Sequence, residues 1–366
     1  MDGYARQFKI GENVQMKIAI SIEHPAWAHQ FKNIIKENNL TGETLVLAVD
    51  KDGDIDLLDS FGIKYVKLAD STGVTVFQKG CLFLKLCISY IKAIKAFKPD
   101  ILIGRASPMM AVAAGVLKIP HLIFEDTEVS RFSLLICRIF STSIITPQMF
   151  HDNLGSKQIR LPIYKELFYL HSQEFVPNMQ VVRDCGIDVA RPYIVLRFIS
   201  WNASHDIGIK SISNNKKIQF VNKLSQLCRV YISSEGELPE VLKKYELKLP
   251  YKDIHHVLYY ATIVVSEGAS MASEAAILGT HSFYLNEIAS GTTEEQERRY
   301  DLLRVLHDAN SRYDNAVTEV EKLLKKPHLW EKGKEKRKKI LAEMPNPNGI
   351  FLCKMEELVN RNGMEK

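Results

Sequence analysis

Short apolar, β-branched runs alternate along the chain with longer stretches whose apolar positions recur at helical spacing. In the first half the strand-like runs fall at 17–22, 44–49, 65–68, 101–103, 121–124 and 143–146, with helical patterns clearest at 28–37, 83–97 and 109–117. Residues 162–188 read as a connector. A second series follows, with strands at 193–198, 230–233, 263–265 and 282–285 and helices at 216–227, 238–245 and 270–278. Such alternation predicts βαβ units, parallel sheets and helices on both sheet faces. The chain therefore reads as an α/β protein with two doubly wound, Rossmann-type domains in tandem and an interdomain cleft. We expect a first domain over 17–165, a second over 190–325 and a basic helical segment over 326–366.

Length agrees with this division, since 366 residues exceed what one hydrophobic core comfortably serves. With 46% hydrophobic and 25% charged residues, the composition is that of an ordinary globular protein. The net charge of +5 arises partly from residues 322–339, which hold nine Lys or Arg against two Glu. Such a run is usually a solvated helix face, and it also allows peripheral contact with an anionic membrane. Nucleic acid is not expected, because no recognition-helix or zinc-finger pattern and no aromatic-interleaved basic groove occurs. The six cysteines are scattered, without metal-ligand spacing. No run approaches the roughly 20 apolar residues a membrane span needs, so the expected location is the cytoplasm.

In open parallel sheets, ligands bind beyond the carboxyl ends of the strands, so chemistry is sought there. The first strand gives way to Glu23, His24 and Pro25, and His24 stands at the strand end itself. It is a candidate active-site group and equally a helix-capping hydrogen bonder. A later strand ends in Gly104-Arg105-Ala106-Ser107, where Ser107 suits a helix N-cap and Arg105 suits an anion or an ion pair. The run Glu125-Asp126-Thr127-Glu128 places three carboxylates together. Their repulsion should raise at least one pKa unless cations intervene, which is how a general base or acid is made. Helix capping is the plain alternative for Asp126. In the second half, Arg197, Trp201, Asn202, His205 and Asp206 share one loop beyond a strand.

The stretch VVSEGASMASEAAILGT, residues 264–280, passes from strand to helix through small residues. Gly268, Ala269 and Ser270 would offer backbone N–H groups to an anion at a helix N-terminus. Glu274, four residues after Ser270, lies on the same helical face and could accept hydrogen bonds from two vicinal hydroxyls such as those of a ribose. Glu267 is an awkward neighbour for a diphosphate unless it points away. A tightly packed turn with a capped helix explains the same residues. Neither a GxxxxGK[ST] loop nor a GxGxxG fingerprint is present.

The ordered motifs ISIEHPAWAHQFKNIIKE, PDILIGRASPMMAVAAGVLKIPHLIFEDTE, IITPQMF, IYKELFYLH, VLRFISWNASHDIG, VYISSEGELP and SMASEAAILGT resemble the bacterial and archaeal family called domain of unknown function 354. The resemblance runs from about Lys17 to about Leu324. That family is similar to the GT-B superfamily of nucleotide-sugar enzymes, which includes glycosyltransferases and UDP-N-acetylglucosamine 2-epimerases. The resemblance implies a GT-B-like fold whose second domain binds the nucleotide sugar. Gly268, Ala269 and Ser270 would contact the diphosphate, Glu274 the ribose, and Arg197 would add positive potential.

By the same resemblance, His24, Asp126 and His205 are the candidate catalytic residues, with no metal and no cofactor beyond a UDP-linked sugar substrate. A glycosyltransferase of surface-polysaccharide or glycoconjugate synthesis is the leading expectation, with the acceptor left open. A 2-epimerase or a non-catalytic binding protein are the alternatives. Against epimerisation, the epimerases' Gly-x-Arg-Pro-Glu turn is replaced here by Glu23-His24-Pro25-Ala26.

Overall fold

The computed structural model describes residues 15–50, 54–70, 76–128, 131–199, 212–287 and 290–364. Two compact units are present, Met1–Glu174 with Met344–Lys366, and Phe175–Glu343.

The first unit is built on a seven-stranded, all-parallel sheet. Its strands are β1 (Lys17–Ile22), β2 (Glu43–Asp50), β3 (Val66–Asp70), β4 (Ile101–Gly104), β5 (His121–Phe124), β6 (Ser143–Pro147) and β7 (Gln158–Leu161), in the order β3-β2-β1-β4-β5-β6-β7. The helices are α1 (Pro25–Asn38), α2 (Asp54–Ser60), α3 (Val76–Phe97), α4 (Pro108–Leu117), α5 (Arg131–Phe140) and the short α6 (Leu167–Leu170). Strands covered on both faces need apolar residues at every position, so β4 and β5 are buried throughout rather than alternating. Helix starts follow local chemistry. Pro25 and Pro108 occupy first-turn positions, and Ser107 caps α4 by accepting the Met110 N–H at 3.2 Å. Ala19, Leu47 and Leu102 of the sheet pack with Tyr90, Ile94, Met110 and Ala113 of α3 and α4.

The second unit carries a five-stranded parallel sheet. Its strands are β8 (Tyr193–Phe198), β9 (Arg229–Ser234), β10 (Ile263–Ser266), β11 (His281–Tyr284) and β12 (Leu303–Val305), in the order β12-β11-β10-β8-β9. The helices are α7 (Met179–Asp184), α8 (Asn214–Leu227), α9 (Ile254–Tyr260), α10 (Ala269–Ile277), α11 (Gly291–Tyr300), α12 (Arg312–Leu324) and α13 (Leu329–Glu343). Leu196, Phe198, Ile232, Val265 and Phe283 form the core with Phe220 and Leu224 of α8 and Ala316 and Val320 of α12. Gly279 ends α10 at φ 75°, and a Cβ there would meet the Gly333 carbonyl oxygen at 2.6 Å. Only glycine permits both that backbone conformation and the close approach of α13.

The basic stretch 322–339 is largely tied down in this packing. Lys334 Nζ donates to the carbonyls of Tyr259 (2.7 Å) and Leu278 (2.9 Å) and to Thr280 Oγ1 (3.2 Å). Lys322, Lys325 and Lys336 pair with Glu319, Glu321 and Asp301. The last helix, α14 (Pro347–Met364), belongs to the first unit, where Asn348 Nδ2 donates to the Phe168 carbonyl at 2.9 Å.

Most expected strands are present with ends shifted by one or two residues. The edge strands β7 and β12, QIRL and LRV, carry too few apolar positions to stand out in the sequence. The connector 162–188 contains α6 and α7, and the expected helix at 238–245 is a 3-10 turn at Glu240–Tyr245. No described helix is long and apolar enough to cross a membrane.

Candidate functional site

Each sheet reverses its strand order once, and the carboxyl ends at that reversal are where open α/β sheets bind ligands. In the first unit the reversal lies between β1 and β4, and in the second between β8 and β10.

At the second reversal, Arg197, next to last in β8, is in register with Ser266 of β10, and the Glu267 N–H donates to the Arg197 carbonyl at 3.0 Å. The chain then turns through Gly268 into α10, with Ala269 as its first residue and Ser270 half-buried. Among the described residues no side chain caps this helix start. The Ser266 hydroxyl instead accepts the Gly268 N–H at 3.0 Å and donates to the Gly268 carbonyl at 2.7 Å, fixing the turn. A Cβ on Gly268 would meet the Ile199 methyl at 3.1 Å, so close packing also favours glycine there. The turn is thus tightly packed, and among the described residues its helix N-terminus has no side-chain acceptor.

Glu267 is directed away from that terminus. Its carboxylate accepts from Tyr313 Oη at 2.6 Å and from the Ile199 N–H at 3.0 Å. Burial, only partly offset by these donors, raises its pKa. Glu274 is buried on α10, with Oε1 3.3 Å from His255 Nε2 of α9. Arg197 is engaged as well, donating to Ser233 Oγ at 2.8 Å and Glu235 Oε1 at 2.6 Å.

At the first reversal, His24 is the N-cap of α1 and its Nδ1 accepts the Ala26 N–H at 3.1 Å. Glu23 beside it accepts from Tyr90 Oη at 2.9 Å. Arg105, buried just beyond β4, forms ion pairs with both Glu125 and Asp126 and donates to Gln30 Oε1 at 3.3 Å. Lys165, also buried, lies 3.4 Å from Asp126 Oδ2 and 3.5 Å from Glu166 Oε1. The Gln30 Nε2 group is buried with no partner among the described residues.

Crowded carboxylates are expected to push a pKa upward unless cations intervene, and here Arg105 and Lys165 intervene. Burial alone would raise the Asp126 carboxyl, but Arg105 and then Lys165 outweigh it and hold it at about 2. Glu128 has turned to accept the His151 N–H at 3.1 Å. The sequence offered Arg105 for an anion or a surface ion pair, and the ion pair it makes is buried; Lys165, in the expected connector, gave no such signal. His29, near the same strand end, is buried with its ring against Phe61 and Tyr169.

The structure thus brings Arg197, Gly268, Ala269, Ser270 and Glu274 to one strand-end region, and His24 and Asp126 to another. His205, with Trp201, Asn202 and Asp206, lies outside the described residues. No group of three or more His, Cys, Asp or Glu side chains placed for a metal ion occurs among the described residues.

Comparison with solved structures returns GT-B proteins. The chain is similar to UDP-GlcNAc 2-epimerase from Neisseria meningitidis bound to UDP-GlcNAc, at TM-score 0.65 and 15% identity over 96% of this chain and all (100%) of that one. It is similar to the S. aureus MnaA–UDP co-structure at TM-score 0.64 and 14% identity, over 96% and 97% of the two chains. The spinosyn forosaminyltransferase SpnP matches at TM-score 0.64 and 14% identity, over 95% and 100%. At such identities the likeness establishes a GT-B-like fold and nothing finer. Comparison with curated proteins by sequence gives no match. The model of the family described as "Protein of unknown function (DUF354)" matches residues 16–291, and the chain belongs to that family.

Proposed function

We propose that the protein is a nucleotide-sugar-dependent glycosyltransferase, with a UDP-linked donor, acting in surface-polysaccharide or glycoconjugate synthesis. One observation carries the reading. An uncapped helix N-terminus at Gly268–Ser270 stands at the strand reversal of the second unit, with the buried carboxylate of Glu274 on the same helix. An anion at the first element and hydroxyls at the second describe a nucleoside diphosphate. Neighbours of the same fold that hold UDP or UDP-GlcNAc support the assignment, and a neighbour named as a sugar transferase supports the reaction class.

In the proposed reaction an acceptor hydroxyl attacks the anomeric carbon as its bond to the diphosphate oxygen breaks. The helix N-terminus stabilises the departing charge. Arg197 would contribute by turning from Glu235 toward the phosphates. The acceptor proton passes to a base, for which we propose His24, Asp126 and His205. In neutral His24 the Nδ1 lone pair is used by Ala26, which leaves the ring proton on Nε2. To act as a base the ring must release that cap. Asp126 is ionised but weakly basic, and gains basicity only if Arg105 or Lys165 is drawn toward substrate.

The test is incubation with UDP-N-acetylglucosamine in deuterated water, with and without acceptor glycans. A transferase consumes donor only with acceptor and leaves C2 undeuterated. Deuterium at C2 without acceptor would establish epimerisation and overturn the proposal.

A further inference from the structure

Three helices of the first unit, α3, α4 and α5, pack side by side, and their outer surface is apolar. Leu84 and Ile88 of α3, Val116 of α4, and Phe132, Leu135 and Ile139 of α5 are each more than half exposed. On α5 the exposed residues recur at i, i+3 and i+7, while Leu134 and Cys137 on the other side are buried. The Phe83 and Phe132 rings, 6.2 Å apart and edge to face, join α3 to α5 and make the surface continuous. Scattered exposed aliphatics are ordinary, but a contiguous patch is not.

The charges carried by these three helices have one sign, with Asp152 the neighbouring acid beside Arg131 and Arg138. None of the three helices contains an Asp or Glu. Lys85, Lys92, Lys95, Arg131 and Arg138 are exposed on them, and Lys118 follows α4. Among the described residues, Arg131 and Arg138 make no ion pair. Exposed Phe, Leu and Ile flanked by cations are the composition of a helix that lies in a bilayer interface.

We propose that this face docks the protein on an anionic lipid bilayer, with the apolar side chains at headgroup depth and the cations on acidic headgroups. A second copy of the chain fits less well. Self-contact would bring the cations of these three acid-free helices against one another, with Asp152, which borders Arg131 and Arg138, offsetting them only in part. The basic stretch 322–339 is the poorer membrane candidate, since Lys334 is spent on carbonyls and Lys322, Lys325 and Lys336 on carboxylates. This inference does not depend on the nucleotide-sugar reading.

The test is flotation of the full chain with vesicles of phosphatidylcholine, with or without phosphatidylglycerol. We expect binding to the phosphatidylglycerol vesicles, weakened by salt. The double variant Arg131→Gln, Arg138→Gln should weaken it about 25-fold, or about fivefold for each charge removed. Phe132→Ser with Ile139→Ser should weaken it by more than about tenfold, whereas Lys336→Gln with Lys338→Gln should leave it unchanged. All these positions but Lys336 are exposed, and circular dichroism verifies that each variant is folded. Absence of binding to the acidic vesicles, or equal binding by the α5 variants, would overturn the proposal. So would a wild-type dimer, seen by light scattering, that the α5 variants dissociate while no lipid binds; that outcome assigns the face to a second copy.

Discussion

Glu274 Oε1 lies 3.3 Å from His255 Nε2, so the carboxylate proposed to hold ribose hydroxyls is already oriented from one side by a buried imidazole. A buried acid held in this way is restricted in its rotamers before any ligand arrives. Glu274→Ala should therefore weaken nucleotide binding by roughly 1.5–3 kcal/mol, the range for hydrogen bonds to a charged acceptor. Calorimetric titration with UDP gives the value, and a thermal scan of the free variant separates lost contacts from lost packing. An unchanged dissociation constant would return Glu274 to a purely structural role.

The Arg105–Asp126–Lys165 network makes a different demand on Asp126→Asn. Removing one member of a buried ion network leaves its cations undercompensated, at a cost of about 3 kcal/mol. Because the folded pKa of Asp126 is depressed to about 2 from an ordinary 3.8, its stabilisation is complete above pH 4 and disappears as pH falls toward 2. Denaturant melts at pH 7 and pH 3 should show the variant's deficit shrinking at the lower pH. Equal deficits at both would argue that Asp126 is not ionically held. Turnover, measured in parallel, should fall by about 100-fold or more if Asp126 also takes the acceptor proton.

Two buried histidines set the acid side of the stability profile. Burial pushes His121 down to about 3, and burial with Lys336 nearby pushes His281 down to about 4. Both are neutral in the fold and become protonated on unfolding below about pH 6.5. Their folded pKa values are depressed, so stability is full above pH 6.5 and is lost as pH falls toward 4 and then 3. The slope should be about 1.4 kcal/mol per pH unit for each group. Chemical denaturation between pH 7 and pH 4 measures it, and a flat profile would contradict the buried neutral state.

Lys334→Met should be destabilising although it removes a charge from a strongly basic stretch. Its ammonium bonds the Tyr259 and Leu278 carbonyls, and its pKa is lowered by burial first and by Arg337 second. Methionine fills the space but removes the ammonium from the Leu278 carbonyl and leaves the Tyr259 carbonyl with Trp330 Nε1 alone of these two donors, at a cost of about 2 kcal/mol. A midpoint equal to wild type in thermal denaturation would show that water replaces the lysine freely.

The sequence carried the fold at the level of its central strands, because parallel strands buried on both faces are predominantly apolar and β1, β4, β5 and β10 read that way. Edge strands β7 and β12 have one exposed flank and lose that signature. Strand-end chemistry was legible wherever a single segment carried it, as at Glu23-His24 or Gly268–Glu274. It was not legible where partners meet only in three dimensions. Lys165 reaches Asp126 across 39 residues, and His255 reaches Glu274 from a helix with no distinctive local pattern. The sequence hint for Lys165 was its place within IYKELFYL, where a Lys-Glu pair flanked by apolar residues is either exposed or buried with charge partners.

Nucleotide binding by the second unit is the claim on which the functional reading rests. The most direct test is thermal denaturation of the full chain with UDP, UDP-N-acetylglucosamine, dTDP and GDP. A ligand at 100 times its dissociation constant adds about 2.7 kcal/mol of stability. The account predicts that UDP or its sugar raises the midpoint in wild type and that Glu274→Ala abolishes most of the rise. No shift with any of the four at saturating concentration would contradict it.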